Sequence, residues 1–251
     1  MNQKLLYLSK SQVEAASPDV SEVIGGLEHM FKLKGQGQVE MPPKPGIHTQ
    51  ADSFIHAMPA YIPEMNVAGM KWISGYPDNF KMGLPYITGL LILNDPQTGI
   101  PLTVMDATHI TAVRTGAATA VAAKYLARKD SQTLGLVACG VQGVSNLSAL
   151  KAVFDLKKVK VFDIDEKKAD AFAKKYTQEF ELEIERVKTP KEAVKGLDLV
   201  VTSGPILKKP TPVIEKNWIT PGSFYCPLDF DYYFTGSAFD ACDLLLIYYV
   251  T

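Results

Sequence analysis

The stretch from Thr133 to Gly143 constrains the fold of this chain more than any other part of its sequence. It runs Thr-Leu-Gly-Leu-Val-Ala-Cys-Gly-Val-Gln-Gly, a short apolar segment that meets glycines just before a helical pattern begins. A strand that enters a helix through a glycine turn leaves backbone N–H groups free at the helix N-terminus, where an anion is stabilised. The stretch therefore predicts an anion-binding turn inside a domain of alternating strands and helices.

The second half of the chain continues this alternation. Strands interleaved with crossover helices imply a parallel sheet with both faces covered, so we expect a Rossmann-type, doubly wound α/β domain. Thr189, Pro190 and Glu192 form a standard helix start, with a cap, a first-turn proline and a capping-box glutamate. The predicted strands are Thr133–Ala138, Lys158–Phe162, Glu181–Val187, Leu197–Thr202 and Gly222–Cys226, and the predicted helices are Val144–Phe154, Glu166–Tyr176 and a helix from Thr189 to Gly196.

The first half has a mixed character. A proline- and glycine-rich loop, Gly35 to Gly46, separates a predicted helix from several predicted strands. Asp106 to Arg128 is rich in alanine and contains no proline, so we expect a long helix that joins the two halves. We predict an α+β substrate-binding and dimerisation domain at 1–127 and a dinucleotide-binding domain at 128–251. The remaining predicted elements are the helix Ser21–Lys34 and the strands Phe54–Ala60, Gly69–Ser74, Tyr86–Leu93 and Ile100–Met105.

Composition narrows the possible classes of function. Apolar residues make up 47% and charged residues 21% of 251 residues, and the net charge is −1, so no nucleic-acid partner is expected. No apolar stretch has the length of a membrane span, and Met1 to Ser9 lacks the core of a signal peptide. Three widely spaced cysteines indicate free thiols and a cytoplasmic location. The four histidines show no metal-ligand spacing, so no metal is expected.

The glycine turn resembles a dinucleotide fingerprint with one departure. The pattern G-x-G-x-x-G begins here with Ala138, and alanine fits that position if its φ stays negative. Asp163 follows the next strand, where a carboxylate accepts hydrogen bonds from ribose hydroxyls and repels a 2′-phosphate. Ile164 adds no cation, so NAD is preferred over NADP. An ordinary tight turn or an S-adenosylmethionine site are the alternatives. The predicted cofactor residues are Thr115, Gly140, Val141, Gln142, Gly143, Asp163, Ile164, Thr202 and Ser203.

Several charged residues stand in apolar or proline-rich surroundings. Lys71 lies in an apolar strand, Arg114 in the alanine-rich helix and Lys44 among prolines. Each alone is compatible with a solvated side chain, but together they can form a cationic pocket for a carboxylate. Asp229 and Asp231 follow the last predicted strand and share a face, where like-charge proximity raises one pKa, or else they lie in a solvated loop.

Four segments together resemble the ornithine cyclodeaminase/mu-crystallin family. The resemblance runs in order from about Lys44 to Asp231, and the Arg114-Thr115 pair ahead of the glycine turn is its most specific part. Family members usually continue with helices that pack back on the first domain, so the chain is expected to be truncated at its apolar end, Leu244–Thr251. The segments are Met58–Tyr61, Lys71–Asn79, Asp106–Thr119 and the Gly140 turn.

The resemblance implies roles for individual residues. Arg114 and Lys71 match the cations that hold the substrate α-carboxylate, and Lys71 is expected to be essential for turnover. Lys44 stands where the family usually has an arginine, so it keeps the charge but loses the bidentate fork. Asp231 matches the acid/base aspartate by its spacing from Gly222, with Asp229 as the alternative. His56 stands where ornithine-cyclising members have an acidic residue, which argues against ornithine as substrate.

The activity implied by the resemblance is NAD-dependent chemistry at the α-carbon of a small amino or imino acid. A dehydrogenase, a ketimine reductase and a cyclodeaminase all fit this description, and we expect a homodimer. The alternative is a mu-crystallin-like protein that binds NAD(P)H and a small ligand without turnover. A methyltransferase is a weaker third reading, because it does not need the three cations.

Overall fold

The computed structural model describes residues 4–205, 209–229 and 232–246. The chain forms two compact units, one built from the residues up to Ala112 and the other from Val113–Leu246. The division falls inside a single long helix, Thr108–Leu126. The functional boundary predicted between residues 127 and 128 therefore stays a prediction. Among the helices of the described ranges, none combines the length and the hydropathy that a bilayer span requires.

The first unit is built around a six-stranded sheet in the order β1-β6-β5-β4-β3-β2. β1 pairs with β6 in parallel, and the other neighbouring strands are antiparallel. All four strands predicted in this half are present within two residues of their predicted ends, so the α+β expectation is confirmed. Its elements are β1 (Leu6–Leu8), α1 (Lys10–Ala15), α2 (Val20–Gly35), β2 (Gly46–Ile47), β3 (Phe54–Ile62), β4 (Val67–Gly75), β5 (Ile87–Asn94) and β6 (Pro101–Asp106).

The alanine-rich segment forms helix α3, Thr108–Leu126. Asp106 starts it by accepting a hydrogen bond from the backbone N–H of Thr108 at 2.8 Å. A side chain at Gly116 would overlap the backbone of Ser145 in the following helix, so these two helices touch backbone to backbone. The small residue at Gly116 permits this close approach, because a larger residue there would force the helices apart.

The second unit contains a five-stranded parallel sheet in the order β11-β10-β7-β8-β9. One core cluster includes Leu136 and Val201, and the other includes Val137 and Val200, so alternate residues of each strand pack on opposite faces. This confirms the doubly wound α/β prediction. The elements are β7 (Thr133–Val137), α4 (Val141–Val153), β8 (Lys158–Phe162), α5 (Glu166–Phe180), β9 (Glu183–Arg186), β10 (Leu199–Thr202), β11 (Phe224–Pro227) and α6 (Gly236–Phe239).

The strand order of this sheet reverses at β7. From β7 the chain moves outward through α4 to β8, whereas β10 lies on the other side of β7. Ligands of open α/β sheets bind at such a reversal of strand order, outside the carboxyl ends of the strands. The turn that follows β7 is therefore the first place to look for a site.

The helix predicted from Thr189 to Gly196 is wrong. The segment is a run of turns in which the N–H groups of Glu192, Ala193 and Val194 bond to carbonyls three residues earlier. The capping contacts exist, since the Glu192 carboxylate accepts a hydrogen bond from the Thr189 N–H at 3.2 Å. However, the segment lies so close to β7 that a side chain at Gly135 would overlap the Ala193 carbonyl. Packing against the sheet has overridden the local helix signal.

The apolar chain end is described only in part. Leu244, Leu245 and Leu246 are exposed and form no strand, and residues 247–251 lie outside the described residues.

The turn after β7 holds its first residue in a strained conformation. Ala138 has a φ of 84°, so the condition under which alanine would fit this position, a negative φ, is not met. Its N–H donates to the Phe162 carbonyl at 2.8 Å, which fixes the residue against the end of β8. A residue with a Cβ in this region costs about 1–2 kcal/mol relative to glycine.

Replacing Ala138 with glycine tests this strain. We expect Ala138→Gly to raise the free energy of unfolding by roughly 1 kcal/mol in urea denaturation, because glycine accepts a positive φ without a steric penalty. Ala118→Gly in the interior of α3 is the matched control and should lower it by about 1 kcal/mol. Loss of stability in both variants would show that Ala138 is not strained.

Candidate active site

The N-terminus of α4 lies at the carboxyl end of β7, where the strand order reverses. Gly140 is the N-cap, no side chain in the described ranges caps it, and a Cβ at Gly140 would meet no atom within 4 Å. Gly143 is different, since a Cβ there would lie 2.7 Å from the Ala138 carbonyl oxygen. Gly143 therefore lets α4 pack closely against the turn that follows β7. Val141, Gln142 and Gly143 form the first turn, whose backbone N–H groups suit an anion.

Asp163 holds this turn in place. One carboxylate oxygen accepts a hydrogen bond from the Cys139 N–H at 2.8 Å, and the other accepts one from the Asp165 N–H at 2.9 Å. A carboxylate has about four acceptor positions, so capacity remains for ribose hydroxyls. Ile164, the next residue, is 90% exposed and supplies an apolar surface beside the carboxylate.

The thiol of Cys139 takes no part as a nucleophile. Burial, together with the nearby Asp163 carboxylate, raises the pKa of Cys139 to about 12. At neutral pH the group is a protonated thiol, and only the thiolate is strongly nucleophilic. The contribution of Cys139 to the site is its backbone N–H.

Asp229 is a buried carboxyl group at the same edge of the sheet. It is 1% exposed and accepts hydrogen bonds from the Thr202 hydroxyl at 2.8 Å and the Gly204 N–H at 3.0 Å. Burial raises its pKa to about 6, although these two hydrogen bonds oppose the shift. Asp229 can therefore exchange a proton near neutral pH. Asp231, the predicted acid/base residue, lies outside the described residues.

Tyr233 and Gly204 belong to this edge and were missed by the sequence reasoning. The Tyr233 ring lies directly on Gly204, where any side chain would overlap its hydroxyl group. Burial raises the pKa of Tyr233 to about 12, with added contributions from the Asp229 and Asp163 carboxylates. The phenol is therefore a hydrogen-bond donor at neutral pH. A glycine just after a buried strand was the available signal.

Strand order brings the predicted cofactor residues of the second unit to one edge. Gly140 follows β7, Asp163 follows β8, and Ser203 follows β10, with its N–H bonded to the Val137 carbonyl at 3.0 Å. Thr202 is fully buried and its hydroxyl is engaged by Asp229, so it positions that carboxyl group. Arg114 and Thr115 lie half-buried in α3. The individual binding roles stay predictions.

The remaining predicted residues lie in the first unit. Lys71 is only 8% exposed in β4, whereas Lys44 is exposed and precedes β2. His56 in β3 pairs with Gly46 of β2. Its pKa is lowered by burial first and then by the charges of Lys44 and His48. Within the described ranges, no three His, Cys, Asp or Glu side chains are grouped so that they could hold a metal ion.

The arrangement in the second unit fits a dinucleotide. The open N-terminus of α4 matches a pyrophosphate, and Asp163 matches a ribose with no 2′-phosphate. Gly140 leaves the space that a phosphate needs to approach the backbone.

Comparison with known proteins agrees with this geometry. The model of the ornithine cyclodeaminase/mu-crystallin family matches residues 4–231. Alanine dehydrogenase of Archaeoglobus fulgidus is 39% identical over 87% of this chain and 65% of its own length. The chain thus spans about two thirds of that relative.

Two solved structures share the fold at similar levels of identity. Thermococcus litoralis Δ1-pyrroline-2-carboxylate reductase, in complex with NADH and L-proline, has a TM-score of 0.84 and 36% identity over 88% of this chain and 68% of that one. An archaeal alanine dehydrogenase dimer with bound NAD has a TM-score of 0.81 and 38% identity over 88% of this chain and 66% of that one.

The family match covers nearly all of the described chain, and the relatives have the same arrangement of strands and helices. By its sequence and its fold, this chain is a member of the ornithine cyclodeaminase/mu-crystallin family.

Proposed function

We propose that this chain binds NAD(H) and acts in oxidation or reduction at the α-carbon of a small amino or imino acid. The observation that carries the proposal is the turn at Gly140, an uncapped helix N-terminus held by the hydrogen bond from the Cys139 N–H to Asp163. When bound, the nicotinamide supplies the hydride acceptor or donor. The relatives, an alanine dehydrogenase and a pyrroline-2-carboxylate reductase, support this reaction class.

The chain's own residues bind the substrate and move protons. We assign Lys71, Arg114 and Lys44 to the α-carboxylate, which orients the α-carbon for reaction. An aspartate moves protons on the substrate nitrogen or on water. Asp231 has this role in the family pattern, and Asp229, with its pKa of about 6, is the described group able to do it.

The proposed cellular location and oligomeric state of the protein rest on other features. A cytoplasmic location is supported by the three free cysteines, Cys139, Cys226 and Cys242. A homodimer is supported by the dimeric archaeal relative and by an apolar sheet face in the first unit. Register places Tyr7, Trp72 and Leu90 on that face, where they are 66%, 38% and 39% exposed.

Calorimetric titration with NADH and NADPH tests the cofactor assignment. We expect NADH to bind at least about tenfold more tightly, since the Asp163 carboxylate repels a 2′-phosphate. Asp163→Ser should reduce the ratio of NADH affinity to NADPH affinity. Asp165→Ser is the matched control, because it removes a charge two residues away while serine keeps the N-cap of α5. Binding of neither coenzyme would refute the proposed function.

Lys71→Met tests the carboxylate-binding role. We expect kcat/KM for amino-acid oxidation to fall by at least about 100-fold, or roughly 3 kcal/mol, because a buried charge pair loses one partner. NADH affinity should stay unchanged. Lys81→Met, at an exposed lysine paired with Asp78, is the control and should retain activity. Turnover that survives in Lys71→Met would exclude this role. NADH binding with no turnover of any acid in the parent protein would favour a mu-crystallin-like binding function.

Trp72→Glu tests the proposed dimer face. We expect the parent protein to sediment as a dimer and the variant to shift towards monomer, because a carboxylate at an apolar interface loses its hydration. Phe80→Glu replaces another exposed aromatic residue of the first unit outside the sheet and should remain dimeric. A dimer that is equally stable in both variants would place the interface elsewhere.

A further inference from the structure

One face of the six-stranded sheet carries His56 and Lys71 as near neighbours. In the register of β3 and β4, His56 pairs with Ile73 and Met58 pairs with Lys71. Directly paired residues point to the same face, and residues two apart on one strand share that face. His56 and Lys71 are therefore diagonal neighbours, about 7–8 Å apart at the backbone, a distance that long side chains can bridge.

Two more basic side chains surround His56. The ring of His48 lies 6.4 Å from the ring of His56, edge to face, and the Phe54 ring stacks on the His56 ring at 4.4 Å. Lys44 lies just ahead of β2, close enough for its charge to lower the pKa of His56. We call Lys44, His48, His56 and Lys71 the basic cluster.

The charged groups that act on His56 are basic. The pKa of His56 is lowered by burial and by two basic neighbours. No carboxylate of the described residues is among the groups that shift it. Lys44 forms no ion pair with any residue of the described ranges. The ring of His56 is also held in place, since a side chain at Gly46 would overlap it.

A substrate with a single carboxylate does not use all of these groups. If Lys71 and Arg114 hold the α-carboxylate, Lys44, His48 and His56 remain, and His56 lies beside Lys71 on one face of the sheet. A substrate with a side-chain ammonium would bring a like charge to these groups, whereas an apolar side chain would leave them solvated. A second acidic group would be attracted by Lys44 and can accept hydrogen bonds from the imidazole N–H groups.

We propose that the basic cluster binds an acidic side chain of the substrate, so that the substrate class is a dicarboxylic amino or imino acid. This inference rests on the proposed function, because it takes Lys71 and Arg114 as the α-carboxylate ligands, and it moves Lys44 from that carboxylate to the second acidic group. His56 is then a specificity-determining residue, and Lys44 supplies the charge that distinguishes a second carboxylate from a methyl group or an amine.

Dead-end complexes with NADH test the proposal without any need for turnover. Calorimetry on the NADH-saturated protein compares L-glutamate, L-norvaline and L-ornithine, which share the α-centre and differ at the end of the side chain. L-Aspartate and L-2-aminobutyrate form the corresponding shorter pair. We expect at least one dicarboxylate to bind at least about tenfold more tightly than its apolar analogue, and ornithine to bind more weakly than norvaline.

Two variants at His56 link the preference to the basic cluster. His56→Glu should lower the ratio of dicarboxylate to ornithine affinity by at least about 100-fold, because it places a carboxylate among the cations. His56→Gln keeps a hydrogen-bonding side chain without a negative charge and should change the ratio by less than about tenfold. NADH affinity and far-ultraviolet circular dichroism report that each variant is folded.

The outcomes separate this inference from the proposed function. Norvaline or ornithine binding as tightly as the dicarboxylates would overturn the dicarboxylic class while the proposed function stands. An unchanged affinity ratio in a folded His56→Glu variant would also overturn it. If NADH does not bind, or if no amino acid binds to the NADH complex, the proposed function and this inference are overturned together.

Discussion

The hydrogen bond from the Cys139 amide to the Asp163 carboxylate is the contact on which the candidate site depends. It joins the ends of β7 and β8, beside a second bond from the Ala138 N–H to the Phe162 carbonyl. Together they hold Ala138 at a φ of 84°, although a side chain makes this conformation costly. Because both faces of the sheet are packed, the strand ends cannot shift to relieve the strain, and the helix N-terminus stays open.

Two carboxyl groups at this edge are suited to different roles because their surroundings differ. Asp163 is half-buried and accepts two backbone N–H bonds, which suits a group that binds hydroxyls. Asp229 is enclosed, and burial brings its pKa to about 6, which suits a group that moves a proton. In the first unit, by contrast, basic groups surround His56. In the proposed assignments, cofactor binding and proton transfer belong to the second unit, and recognition of an acidic substrate belongs to the first.

Much of the fold follows from local patterns. The alternation of strands and helices predicted the parallel sheet, and the alanine-rich segment predicted α3 to within two residues at each end. The helix expected at Thr189 does not form, because the segment packs closely against Gly135 of β7, a residue distant in the sequence. The positive φ of Ala138 could not be predicted for a similar reason, since the neighbouring strand ends impose it.

By itself, the sequence determined the strand–turn–helix at Gly140, the position of Asp163 one strand later and the cations Lys44, Lys71 and Arg114, because these depend on spacing and residue type. Only the tertiary structure decided that Asp229 is buried, that Tyr233 lies on Gly204, and that the charges of Lys44 and His48 act on His56. Burial and electrostatic environment depend on which distant segments pack together, and no local pattern encodes them.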